Sequence, residues 1–323
     1  MAFFSMASIA RLGVADHITD TPVDVADLAR KSSTNADALY RVLRSLASLG
    51  LFTEHPPRHF ALAPMGALLR TDHPHSMRAM AVMFTDPWQL QAYGRLDDVI
   101  RTGTDGPTLV FGHHAFEYFK THPDEAANYH AAMSSFSAGA TESILEVADF
   151  SRFHKLADCG GGHGFVISRV LSKFPNLHGV LYDLPEVVAG AAAAGFIGAV
   201  EGRLHIEAGS FFERVPEGCD AYLMKHIIHD WDDESCREIL SLMRAQLAKT
   251  APDTGRVFLG EMVVPEEPGL APAKMLDIEM LVATRGGRER THTEFAALFA
   301  SAGLRLVSIT PTHSPVCLLE AAL

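Results

Sequence analysis

Residues Leu156 to Asp183, LADCGGGHGFVISRVLSKFPNLHGVLYD, decide the fold of this 323-residue chain. A short apolar run ends in an acid at Leu156-Ala157-Asp158. Glycines follow at positions 160, 161, 162 and 164, then an amphipathic stretch, then a second apolar run ending in Asp183. That order is strand, tight turn, helix, strand: one βαβ unit. The glycines permit positive φ and let a ligand lie against bare backbone. Asp183, 25 residues after Asp158, stands at the tip of the second strand, where a carboxylate accepts both hydroxyls of a ribose.

The glycine spacing separates two cofactor classes. A dinucleotide fingerprint, G-x-G-x-x-G, needs its third glycine where this chain has Phe165. The pattern here is Gly160-x-Gly162-x-Gly164. It resembles the first motif of the S-adenosylmethionine (SAM) methyltransferases, whose ligand carries a ribose and no pyrophosphate. Taken alone, the stretch points to a nucleoside-type ligand; a glycine turn needed only for close helix-strand packing is the structural alternative.

Downstream the alternation continues, with apolar runs at Leu204-Ala208, Ala221-Lys225 and Arg256-Glu261 and helical patterns at Pro185-Ala194 and Glu234-Leu247. This predicts an α/β fold with a doubly wound, mostly parallel Rossmann-like sheet, whose ligands bind at the carboxyl ends of its strands. Leu304-Ile309 and Val316-Glu320, joined by a Pro-Thr-His-Ser-Pro turn, predict an antiparallel hairpin at one edge.

Upstream, residues 1 to 75 read as three helices and a hairpin. Asn35 or Asp37 caps a periodic helix through Leu39, Leu43 and Leu46 that Gly50 closes, and a Pro-Pro turn joins Phe52-Thr53-Glu54 to Phe60-Ala61-Leu62. The pattern is a winged helix. Through residue 75 its seven Lys and Arg meet seven Asp and Glu, Asp20 among them, so it has no basic face for DNA and reads as a dimerisation surface. Residues 76 to 145 look helical, broken near Gly103 to Pro107, and carry Trp88, Tyr129, Met133 and Phe136 among many large side chains. Most of these are core; a few suit a pocket for a flat apolar molecule. The expected division is a winged-helix dimerisation domain over 1–94 and a catalytic domain over 95–323, with 95–145 lining the acceptor pocket.

The formal charge of −12 argues against a polyanionic partner, since phosphate binding depends on Lys and Arg. Cys159, Cys219, Cys236 and Cys317 are far apart and form no C-x-x-C pair, which predicts reduced thiols and a cytoplasmic address. No window approaches the roughly 18 uninterrupted apolar residues of a membrane span.

Three further groups fall where later strands end: Lys225-His226-Ile227-Ile228-His229-Asp230-Trp231, Glu261, and the Gly286-Gly287-Arg288-Glu289-Arg290 run. A histidine with two carboxylates makes a base and an orienting shell. Transfer of a methyl group to a phenol requires loss of a proton with a pKa of about 10, and a free histidine sits at about 6.5. A positioned base that takes the proton during attack is worth roughly 10²–10⁴-fold in rate. Each residue also has a bland reading: His229 as a helix-start histidine, Glu261 as a solvated strand end, Glu289 as an exposed partner of its flanking arginines. His226 and His163 read as structural.

The order winged helix, DCGGGHG, YDLPEV, GSFFERVPEGCDAYLMKHIIHDWDDE, VFLGE, LDIEML and GGRERT resembles the plant-type O-methyltransferases of small aromatic molecules, from about residue 10 to the end. HDWDDE with GGRERT is the specific part. The resemblance implies His229 as general base, flanked by Glu261 and Glu289. It implies SAM contacts at Asp158, Gly160, Gly162, Asp183, Leu184, Ser210, Phe211 and Lys225, with S-adenosylhomocysteine as product. It implies acceptor contacts at Trp88, Tyr129, Met133, Phe136, Asp230, Met280 and Thr284, a homodimer, and no metal, nucleic-acid or membrane partner. Two departures stand out. Family members carry an acid where this chain has Ser210, a difference that weakens the expected hold on adenine. They also carry another helix before residue 1, which implies a trimmed amino terminus or an internal start. Two other functions fit parts of the pattern: a SAM-binding protein of this fold that hydroxylates or decarboxylates a polyketide, and a winged-helix regulator.

Overall fold

Capping signals set two helices that follow the amino-terminal helix Ala2–Arg11. Asp24 accepts the amide of Ala26 to start helix Val25–Lys31, and Asn35 accepts those of Asp37 and Ala38 to start helix Ala36–Ser48, so Asn35 and not Asp37 is the cap. Strands β1 (Val23–Asp24), β2 (Phe52–His55) and β3 (His59–Leu62) form a small antiparallel sheet in the order β1-β3-β2. Val25, Leu28, Leu39, Leu43, Leu46 and Phe60 close a core beneath it. The wing and helices expected from the sequence are therefore present. The structure, a computed structural model, describes residues 1–19 and 21–323; Asp20, counted above among the acids, lies outside the described residues.

The chain divides into two compact units, one of Met1–Leu96 with Gly106–Gly139 and one of Asp97–Asp105 with Ala140–Leu323. By its contacts, segment 106–139 groups with the first unit. In that unit Trp88, Tyr118, Phe119 and Tyr129 make an aromatic cluster in which the Trp88 and Phe119 rings lie 5.2 Å apart, edge to face.

The second unit is built on β4 (Lys155–Cys159), β5 (His178–Asp183), β6 (Leu204–Ala208), β7 (Ala221–Lys225), β8 (Arg256–Val264), β9 (Arg290–Thr291), β10 (Arg305–Pro311) and β11 (Val316–Ala322). The sheet order is β10-β11-β8-β7-β4-β5-β6, with β9 paired to the end of β8. Strands β6, β5, β4, β7 and β8 are parallel, and the β10-β11 hairpin joins antiparallel along β8. The chain winds outward from β4 through β5 to β6, then returns to the other side through β7, so the switch point lies between β4 and β7. Ligands of open α/β sheets bind there, outside the carboxyl ends of the strands. Helix Asp233–Thr250 buries Cys236, Ile239, Leu240, Met243 and Leu247 on the sheet. The expected helix Pro185-Ala194 is shorter, ending at Val188. Its remainder is Ala and Gly, with no large apolar side chain to anchor further turns.

Candidate active site

The glycine loop leaves β4 with three positive-φ residues, Gly160 at 74°, Gly162 at 60° and Gly164 at 86°. Gly160 must also be bare: a Cβ there would stand 2.6 Å from Ile227 Cδ1. Around Gly162 there is open space. The Gly162 amide donates to Asp183 Oδ2 at 2.8 Å, and the Leu184 amide donates to Oδ1 at 2.7 Å. These bonds fix the carboxylate at the β5 tip, and each oxygen keeps a lone pair for a further donor. Burial raises the Asp183 pKa, while the two amides pull the other way. Phe211 packs near Gly160 and Trp231, and Ser210 follows β6 with its hydroxyl accepting the Phe212 amide at 3.3 Å. Leu184 is exposed.

Asp158, expected among the cofactor contacts, stands under the loop. It is buried beneath the loop, where a Cβ on Gly161 would meet its Oδ2 at 2.8 Å, so it packs against the loop from below. Desolvation lifts its pKa to about 7 against the pull of Lys225. Lys225 is itself held down to about 8 by burial, opposed by Asp158 and Glu261.

The second cluster is made of side chains. Strand β7 ends at Lys225, and His226 turns the chain at φ 53°, a conformation uncommon for any residue but glycine. The turn aims two successive amides, Ile227 and Ile228, at Glu261 Oε1 (3.1 and 2.9 Å) on the neighbouring strand β8. His229 then stands with Nδ1 2.8 Å from Glu289 Oε1 and 3.7 Å from Glu261 Oε2. Its Nε2 has Asp230 Oδ1 at 3.6 Å, outside direct hydrogen-bond range. His229, Glu261 and Glu289 are all buried, which removes the solvated and exposed readings of the two acids.

Such burial shapes the protonation of the cluster. Desolvation would lower the His229 pKa, but the carboxylates of Glu261, Asp230 and Glu289 together outweigh it and hold the imidazolium well above the ordinary histidine value. Burial raises Glu261 despite the opposing charge of His229. An imidazole with Nδ1–H tied to a carboxylate has a fixed tautomer and a basic Nε2.

Residues beyond the expected set hold this arrangement. Arg290, 1% exposed, donates to Asp233 (2.9 and 2.7 Å), to the Ile228 carbonyl (3.1 Å) and to the Trp231 carbonyl (2.9 Å), so one guanidinium clamps both sides of His229. Asp277 accepts the Glu289 amide at 2.9 Å, and the Arg288 amide donates to the His229 carbonyl at 2.8 Å. A Cβ on Gly287 would lie 2.5 Å from that carbonyl, so only glycine lets the two segments touch. Within GGRERT, Glu289 and Arg290 diverge, one to the histidine and one to its loop.

Among the expected acceptor residues, Asp230 and Thr284 stand beside the His229 segment, Thr284 against Gly287 and bonded through its hydroxyl to the Met280 carbonyl at 2.7 Å. Trp88, Tyr129, Met133 and Phe136 belong to the other unit. Trp88 is buried in the aromatic cluster there, its Nε1 without a hydrogen-bond partner. Its rings pack edge to face on Phe119 and Tyr129. The described residues also contain one set with metal-ligand geometry, His226, His229 and Glu261, where no metal was expected.

Comparison with known proteins gives this geometry a context. The family model of the O-methyltransferase domain matches residues 93–305, and that of the O-methyltransferase dimerisation domain matches residues 1–72. A phenazine O-methyltransferase, PhzM of Lysobacter antibioticus, is 35% identical over 98% of this chain and 91% of its own length. The 8-amino-8-demethylriboflavin N,N-dimethyltransferase of Streptomyces davaonensis is 34% identical over 98% of this chain and 90% of its own. Among solved structures, the calicheamicin-biosynthesis methyltransferase CalO1 in its S-adenosylhomocysteine-bound form aligns with a TM-score of 0.89 at 35% identity, covering 99% of this chain and 94% of that one.

Proposed function

The chain belongs to the SAM-dependent O-methyltransferases, and we propose that it methylates a phenolic or enolic hydroxyl of a small aromatic secondary metabolite, with His229 as general base. The 2.8 Å contact between His229 Nδ1 and Glu289 carries this reading, because it commits Nδ1 to a carboxylate and leaves Nε2 as the proton acceptor.

Bound SAM supplies a sulfonium methyl group open to in-line attack. The chain's own residues do the rest. Asp183, fixed by the amides of Gly162 and Leu184, has free lone pairs for the ribose hydroxyls, and the bare face at Gly162 gives them access. Phe211 and Ser210 are suited to the adenine. His229 Nε2 takes the acceptor proton as attack proceeds, and the carboxylates of Glu289 and Glu261 stabilise the imidazolium that forms. Asp230 and Thr284, beside the His229 segment, are suited to orient the acceptor. Assembly as a homodimer is supported by the match to the family's dimerisation domain. A cytoplasmic address is supported by four free thiols, three of them buried.

The similarity to the riboflavin-analogue N-methyltransferase favours an arylamine as the second acceptor class. An amine attacks as a neutral nucleophile and depends less on a base. Screening phenols, enols and arylamines with the purified protein and SAM, by mass spectrometry, tests both. A mass gain of one methyl on a phenol or enol supports the proposal, and methylation of amines alone replaces it with the second reading.

A further inference from the structure

His226 enters the site without a role in methyl transfer. Its ring stacks beside that of His229, centroids 5.3 Å apart and planes inclined by 30°. Its Nδ1 lies 3.8 Å from Glu261 Oε2, and His229 Nδ1 lies 3.7 Å from the same oxygen. One ligand atom from each of the three residues falls within 4.8 Å of the other two. Glu261 Oε2 is fully buried and has no hydrogen-bond partner, because the Ile227 and Ile228 amides both go to Oε1. A second carboxylate oxygen, Glu289 Oε2, is likewise buried without a partner. Buried carboxylate oxygens left bare are costly, and a cation, a proton or an ordered water satisfies them.

We propose that His226, His229 and Glu261 form a binding site for a borderline-soft divalent cation of the Zn²⁺ class, and that the cation, by taking His229 Nδ1, keeps the ring proton on Nε2 and so inhibits methyl transfer. Two imidazoles and a carboxylate suit Zn²⁺ and Co²⁺, whereas Mg²⁺ and Ca²⁺ prefer all-oxygen sets. Tetrahedral Zn²⁺ with bonds of about 2.0–2.2 Å holds its ligand atoms roughly 3.3–3.5 Å apart. Two of the three separations, 3.7 and 3.8 Å, need to contract by a few tenths of an ångström, and the third, between the two imidazoles, lies within 4.8 Å and closes as the rings turn onto the ion. A cation on His229 Nδ1 replaces the hydrogen bond to Glu289, whose carboxylate is then placed to become a fourth ligand. The inhibitory part rests on His229 being the base; the binding part does not.

The test uses the full chain, freed of metal by a chelator and titrated with Co²⁺, with Zn²⁺ inhibition of turnover measured in parallel on an acceptor that the wild type methylates. The expected result is the intense visible absorption of tetrahedral Co²⁺ at one ion per chain, its displacement by Zn²⁺, and inhibition over the same Zn²⁺ range. His226→Asn, chosen because Asn tolerates positive φ, is expected to weaken both effects at least tenfold while turnover without metal stays within about threefold. Glu261→Gln provides a second variant for the Co²⁺ spectrum should His226→Asn fail to fold. Absence of a tetrahedral spectrum, or one that both variants leave unchanged, overturns the site. A tetrahedral spectrum lost in the variants, with turnover indifferent to Zn²⁺, keeps the binding site and refutes His229 as the base.

Discussion

The two halves of the site are made of different material. The cofactor cradle is backbone: three glycines at positive φ and two amides on Asp183, all within a stretch of 28 residues. The base cluster is side chain: His229, Glu261 and Glu289 arrive from the ends of β7 and β8 and from the segment before β9, and each is buried. A backbone cradle depends on conformation and tolerates change in its neighbours. A buried cluster of charges depends on every member, since removing one leaves the others uncompensated. The proposed separation of duties follows: the cradle sets affinity for SAM, and the cluster sets the rate.

The largest expected effect that would break this contrast is on turnover. His229→Ala should lower kcat by about 10²-fold or more, as a lost general base does, and by much less with an arylamine acceptor. A phenol rate reduced less than threefold would remove His229 from the chemistry. Next comes the cradle: Asp183→Ala should weaken SAM binding by about 10–100-fold, the loss of two hydrogen bonds to a charged group, with a smaller effect on kcat at saturating SAM. Unchanged affinity would mean that the ribose lies elsewhere.

Arg290 sharpens the comparison from the side of stability. Arg290→Met strands the carbonyls of Ile228 and Trp231 and should cost about 2–3 kcal/mol, read as a lowered Tm, together with a fall in kcat. Arg290→Lys keeps the charge but cannot reproduce the fork, so it should recover only part of either. Full recovery by lysine would show that charge alone holds the loop.

The smallest effect expected is a shift in pH dependence. The base must be neutral to accept a proton, and the surrounding carboxylates raise the pKa of His229, so kcat/KM for a phenol should rise with pH through an acidic limb above the ordinary histidine value of about 6.5. Glu289→Gln removes one of those charges. The imidazolium is then less stabilised, its pKa falls, and the limb should move to lower pH. A limb that stays in place would assign the titration to another group.

Local signals make the cradle and most of the sheet readable from the amino-acid sequence alone. Glycine spacing, the acid at the β5 tip and the alternation of apolar runs are each written within a few residues. The base cluster is legible only through resemblance, because nothing near Glu289 in sequence reveals that it is buried against a histidine 60 positions away. Its flanking arginines suggest an exposed ion pair; Arg290 instead turns inward to the His229 loop. The burial of Asp158 and Trp88 is equally hidden from the sequence. Their residue types suit ligand contact, but burial under Gly161 and within an aromatic cluster is a property of packing that composition does not encode. The bend at His226 is also invisible in the sequence, since its φ follows from the two amides that must reach Glu261.

The claim that cofactor affinity and base catalysis reside in separable halves is tested most directly by calorimetric titration of His229→Ala with S-adenosylhomocysteine. The account predicts one site per chain and a Kd within about twofold of the wild-type value, because the base faces the acceptor and not the cofactor. A Kd weakened tenfold or more, in a variant that remains folded, would contradict it and make His229 part of the cradle.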